Sequence, residues 1–140
     1  MVVVSSQLYA ETSVKNHSGA PKSDLNLSLP NCVICAQGYR LTATRQFEAA
    51  EKFWRQLIKA KPKNPTVAAI ALQQMAAIHL TQGRYQVANS HLHLAINTLK
   101  NIEANALLGS IYYQLAVLEI RQSHLKAAQQ SLQQVMRLID

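Results

Sequence analysis

The sequence predicts an all-α fold of six helices, paired into three helical hairpins that stack as a solenoid. Three observations carry this expectation. Alanine, leucine and glutamine dominate the second half of the 140-residue chain, which has only 4 glycines and 4 prolines, and such a composition favours helix over strand. From about Asn31 onward, apolar residues recur at spacings of three and four between short polar or Gly/Pro interruptions. Alternate segments also line up with one another in register, the mark of an internal repeat.

Residues 1–30 carry serines, asparagines, Pro21 and Pro30 with no lasting periodicity, and read as a flexible N-terminal tail. Residues 31–140 form the repeat domain. The first helix is expected over 30–44, with Pro30 near a favoured starting position, and the second over 46–61, stopped by Pro62. Residues 61–65 read as a turn. Thr66 is the expected N-cap of a third helix that closes at Gly83, whose missing β-carbon suits a left-handed terminal residue. The fourth helix spans 85–100, the fifth 103–122 and the sixth 125–139. In the second, Glu48 stands four residues before Lys52 and Glu51 four before Arg55, an orientation worth ~0.2–0.5 kcal/mol per ion pair.

The even-numbered helices share a pattern. Phe47 precedes Ala50 by three, Tyr85 precedes Ala88 and Leu125 precedes Ala128, and each alanine is followed four residues on by Trp54, Leu92 or Leu132. A small residue there lets the partner helix approach closely, while the larger neighbours fill the flanking space. Gly38, Ala76 and Ala116 hold the small position on the odd-numbered helices, each 12 residues before the alanine of its own pair.

With these residues the chain resembles the tetratricopeptide repeat family over about residues 31–140. Gly38, Phe47, Ala50, Trp54 and the stretch Lys61, Pro62, Lys63, Asn64, Pro65 match that family's pattern in the first copy. The second copy keeps Ala76, Gly83, Tyr85, Ala88 and Ala95 but has Lys100 where the terminal proline would fall, and the third has Leu125 in place of the aromatic residue. The alanines are 38 and 40 residues apart against a usual repeat of about 34, which is similar to the longer variant found in kinesin light chains. Fold does not carry function with it, so this is a likeness of architecture. It implies a concave face lined by Cys35, Tyr39, Gln73, Ala77, Leu80, Tyr113, Val117 and Ile120, mostly apolar and suited to a helix or extended peptide. The lysine and asparagine clamp for a C-terminal carboxylate is absent from these positions.

Charge and cysteine usage narrow the function further. Fourteen Lys and Arg against seven Asp and Glu give a net charge of +7, which keeps nucleic acid, an anionic surface or an acidic partner in view. Seven of the basic residues, Arg40, Arg45, Lys52, Arg55, Lys59, Lys61 and Lys63, fall within residues 40–63. Lys52, Arg55 and Lys59 share one face of the second helix, opposite its packing alanine. Cys32 and Cys35 have the spacing of half a zinc site or a redox pair, but four-ligand zinc needs more than two, so a structural pair is expected. His91 and His93 point to different sides of one helix, while His79 and His124 stand alone. No nucleophile–base pair, phosphate loop or carboxylate pair stands out, and neither metal nor cofactor is expected.

The first four residues are apolar but fall short of the ~7 of a signal-peptide core, and no run approaches the ~18 of a membrane span. A cytoplasmic protein without a membrane span is the expectation. The sixth helix presents Leu132, Val135, Met136 and Ile139 at the end of the array as an edge for self-association or docking. The sequence therefore points to a non-enzymatic adaptor or scaffold for a protein or peptide partner. The alternative is nucleic-acid or anionic-surface binding through residues 40–63.

Overall fold

The hairpin turns explain where the helices stop. In the computed structural model, which describes residues 33–139, the helices are α1 Val33–Ala43, α2 Phe47–Lys59, α3 Pro65–Thr81, α4 Tyr85–Thr98, α5 Asn105–Arg121 and α6 Leu125–Ile139. No strand occurs among the described residues. The expected tail, Pro30 and Cys32 lie outside them.

Each hairpin turn places one residue in the left-handed region: Arg45 (φ 62°), Gly83 (φ 77°) and Ser123 (φ 62°). The next residue closes the helix by donating its N–H to a carbonyl five residues back. Gln46 reaches Leu41 at 2.9 Å, Arg84 reaches His79 at 2.8 Å and His124 reaches Glu119 at 2.7 Å. A bond from each left-handed residue to the carbonyl three residues back, at Thr42, Leu80 and Ile120 respectively, completes the Schellman closure. The three turns are 38 and 40 residues apart, the same offsets as the packing alanines, so one backbone unit occurs three times. Gly83 takes this conformation freely, whereas Arg45 and Ser123 do so against a steric cost of roughly 1–2 kcal/mol.

The start of α3 differs from expectation. Asn64, not Thr66, is the N-cap: its backbone is extended and its side-chain oxygen accepts the Thr66 N–H at 3.0 Å. Pro65 then becomes the first helical residue, where its missing N–H costs nothing because that donor would have no intrahelical partner. Of the two anticipated ion pairs on α2, Glu51 and Arg55 form theirs, while no bridge links Glu48 and Lys52.

Helices α1, α3 and α5 lie side by side in one layer, with α2, α4 and α6 packed against it. Gln73 on α3 donates to the Ser110 hydroxyl on α5 at 2.7 Å, and Gln114 donates to the Gln73 carbonyl at 3.4 Å. The small residues fall at the layer interface as their spacing requires, with Gly38, Ala50, Ala76, Ala88, Ala116 and Ala128 all buried. Trp54 anchors the first hairpin. Its ring lies against Gly38 and between Tyr39 and Phe53, with centroids 5.6 and 5.1 Å away. Its indole N–H donates to Thr42 Oγ1 at 3.2 Å, and that hydroxyl donates to the Gly38 carbonyl at 3.0 Å.

Candidate docking surfaces

Most of the residues read from the sequence as lining a concave face are buried. Cys35, Tyr39, Gln73, Ala77, Leu80 and Val117 are buried, Tyr113 is half-buried, and only Ile120 stands exposed at 50%. Residues 69–80 of α3 are buried without a break, more than three turns and therefore all sides of the helix. Such burial needs apolar or hydrogen-bonded neighbours all round, and the mix of Ala, Ile, Leu and Met with Gln73 and Gln74 supplies both kinds of side chain. Cys35 is disulfide-bonded, so its sulfur is not an available thiol; Cys32 lies outside the described residues.

His79, which looks isolated in the sequence, is paired. Its ring stacks on His91 of α4 at 5.3 Å between centroids and 7° between planes. The two are 12 residues apart, the offset that joins Gly38 to Ala50 and Ala76 to Ala88, and this register is the signal that could have found the contact. The equivalent pair in the third hairpin is Glu119 and Ser131, whose hydroxyl donates to the carboxylate at 2.7 Å. His91 Nδ1 lies 2.9 Å from the Val87 carbonyl, which assigns that nitrogen the proton.

Burial lowers the His79 pKa below the ordinary 6.5, and His91, Arg84 and Arg55 push the same way against the opposing pull of Glu51. The unfolded chain therefore binds the proton more readily. Stability from this group is complete above the unfolded pKa and falls as pH drops through 6.5 toward the folded value, with a slope of at most about 1.4 kcal/mol per pH unit. Thermal midpoints between neutral and mildly acidic pH should fall more steeply for wild type than for His79→Gln. Equal slopes in the two proteins would exclude His79 as the source.

The basic cluster is fully displayed. Arg40, Arg45, Lys52, Arg55, Lys59, Lys61 and Lys63 are all exposed, with Arg45 stacked over the Phe47 ring at 5.1 Å and Arg55 engaged by Glu51. An open depression of about 790 Å³ lies on this side, lined by Gln46, Phe47, Glu48, Glu51, Lys52 and Arg55. Both signs of charge meet there, which weakens the field a polyanion would feel.

The clearest unpartnered surface is on α6. Repeat equivalence sets Leu132 against Leu92 of α4 and Ile139 against Leu99 at the C-cap of that helix, each 1% exposed. On α6 the corresponding exposures are 38% for Leu132 and 73% for Ile139, with Met136 at 64%; Val135 is half-buried. Positions that are closed in the second hairpin are open here. Beside them, a groove of about 570 Å³ runs between α4, α5 and α6, lined by Ile96, Leu99, Leu108, Tyr112 and Leu138 among others.

Among the described residues no group of three or more His, Cys, Asp or Glu could hold a metal, and no helix is long and apolar enough to cross a membrane. No family model, curated protein or solved structure matches the chain.

Proposed function

We propose that this chain is a non-enzymatic adaptor, a tetratricopeptide-like scaffold that docks a helix of a protein partner on the open face of α6. One observation carries the reading: Leu132, Met136 and Ile139 are exposed, whereas their repeat counterparts Leu92 and Leu99 are buried and Ile96 is half-buried. A docked helix would repeat the packing that α4 makes with α5. Apolar side chains in that register have a known complement, and their exposure in a row distinguishes them from scattered surface residues. The flanking charges on α6, Lys126 and Arg137, are both basic, which favours a partner helix with acidic edges over a second α6.

Affinity capture from native extract at low and high salt, with wild type beside a Met136→Glu, Ile139→Glu variant, tests the reading. Both substitutions lie at exposed positions, so folded stability is expected to change by no more than about 0.5 kcal/mol. A protein that binds wild type at both salt concentrations and is lost from the folded variant is the expected result. A partner retained by the variant would rule out α6 as the docking face.

A second reading rests on the exposure of all seven basic residues from Arg40 to Lys63. It takes nucleic acid or another polyanion as the ligand. Binding of this kind weakens steeply with salt. Neutralising Lys52, Arg55 and Lys59 to glutamine should then abolish binding to single-stranded RNA, while binding that survives the triple change would dismiss the patch.

A further inference from the structure

The groove of about 570 Å³ between α4 and α6 is open, with α5 beneath it. We propose that it is a binding site for a small amphiphilic anion, an aliphatic chain that ends in a carboxylate. Leu108 and Tyr112 of α5 form its floor, and Ile96 of α4 and Leu138 of α6 stand on either side. Its polar lining is His93, Asn97, Lys100, Asn101 and Gln134, with no Asp or Glu among the described residues that line it. The site is separate from the docking edge and does not depend on it. Gln134 and Leu138, four residues apart, share one flank of α6, whereas Leu132, Met136 and Ile139 share another.

The two kinds of side chain are sorted by depth. Ile96, Leu108, Tyr112 and Leu138 are half-buried, while His93, Asn97, Lys100 and Asn101 are exposed, so apolar surface lies below a rim of cationic and amide groups. Backbone geometry holds one end of that rim in place. After α4, the Lys100 N–H donates to the Asn97 carbonyl at 3.1 Å and the Ile102 N–H to the Leu99 carbonyl at 3.0 Å, with Asn101 left-handed between them (φ 69°). Asparagine tolerates that conformation better than most residues, and the turn brings Lys100 and Asn101 together at the groove.

Charge and size select the ligand. The Lys100 ammonium attracts a carboxylate, and the side-chain amides of Asn97, Asn101 and Gln134 donate to its oxygens. A lining without carboxylates offers a cationic head group no partner. The volume falls within the range of about 300–1,000 Å³ for small-molecule sites, where a mostly apolar lining with a few polar groups is usual. A protein helix fits poorly, because one turn of a cylinder 10 Å across already takes up about 400 Å³. An aliphatic chain is narrow enough to lie on Leu108 and Tyr112 with its carboxylate at Lys100.

The test titrates the full-length, isotope-labelled protein with sodium decanoate below its micelle concentration and follows the NMR signals. Saturable shifts centred on Ile96, Leu108, Tyr112 and Leu138 are expected, with Leu132, Met136 and Ile139 little moved. Octanoate, shorter by two methylenes, should bind roughly tenfold more weakly. Decyltrimethylammonium, with the same chain and the opposite charge, should bind several-fold more weakly than decanoate. Lys100→Glu lies at an exposed position where folding is retained, and should weaken decanoate about fivefold. Equal binding of the cation, or unchanged decanoate affinity in Lys100→Glu, would overturn the proposal by reducing the site to unspecific apolar adsorption. So would the absence of saturable shifts in the groove, or shifts centred on the α6 edge. The same shifts produced by raising the protein concentration alone would assign the groove to a second copy instead. None of these outcomes alters protein capture through Leu132, Met136 and Ile139, so the two conclusions stand or fall separately.

Discussion

Trp54→Ala is expected to remove about 3–5 kcal/mol of stability, the range for truncating a buried large aromatic side chain. Domains of this size have only about 5–15 kcal/mol in total, so the variant should melt far earlier than wild type or populate the unfolded state outright. Trp54 is fully buried, fills the space that Gly38 leaves open, and touches both Tyr39 and Phe53. Removing it creates a cavity and also strips Thr42 Oγ1 of its indole donor. Urea unfolding followed by far-ultraviolet circular dichroism measures the loss. Trp54→Phe should recover part of it, because it refills most of the volume without restoring the hydrogen bond. A loss below about 1 kcal/mol for the alanine variant, typical of an exposed site, would contradict the burial of the ring.

Gly38→Ala is the second large effect, and two opposing terms decide its sign. Alanine in a helix interior gains about 1 kcal/mol over glycine. Here the new methyl would overlap the indole ring of Trp54, and overpacking of a filled core costs typically about 1–3 kcal/mol. The ring is rigid and itself enclosed, so it cannot swing away as a long flexible side chain could. Net destabilisation is expected, with Gly38→Val worse than Gly38→Ala. In a Trp54→Leu background the penalty should shrink or change sign, a coupling of about 0.5–3 kcal/mol for residues in direct contact. Additive effects of the two substitutions would mean that Gly38 is small for some other reason.

Both predictions concern the first hairpin, where sequence and structure agree most closely. The glycine–alanine–tryptophan arrangement could be read from spacing because close helix packing demands a small residue on each side and a large one beside it. Helix ends were legible where a breaker acts through the backbone, as at Gly83. They were less so at Asn64, where a side chain two residues before Thr66 accepts the N–H of Thr66 itself and Pro65 serves as a start instead of a stop. The His79 and His91 stack was legible in principle from the 12-residue register, but only by carrying that register from small residues to polar ones. On α6, the pattern placed Leu132, Val135, Met136 and Ile139 on a common edge, and the coordinates distinguish half-buried Val135 from its exposed neighbours.

The inner face shows what periodicity leaves undecided. Periodicity assigns Gln73, Ala77, Leu80 and Val117 to the α1, α3 and α5 layer, but it cannot say whether anything lies over that layer, because burial depends on chain segments remote in sequence. What the sequence by itself determined is local and repetitive: six helices, three hairpins, the small residues at their crossings and the left-handed stop at Gly83. These follow from hydrogen bonding and side-chain size within about 20 residues, which act before any long-range contact forms. Tertiary structure alone decided which apolar faces are covered and which remain open, since the same leucine position is buried on α4 at Leu92 and exposed on α6 at Leu132, where no described helix follows.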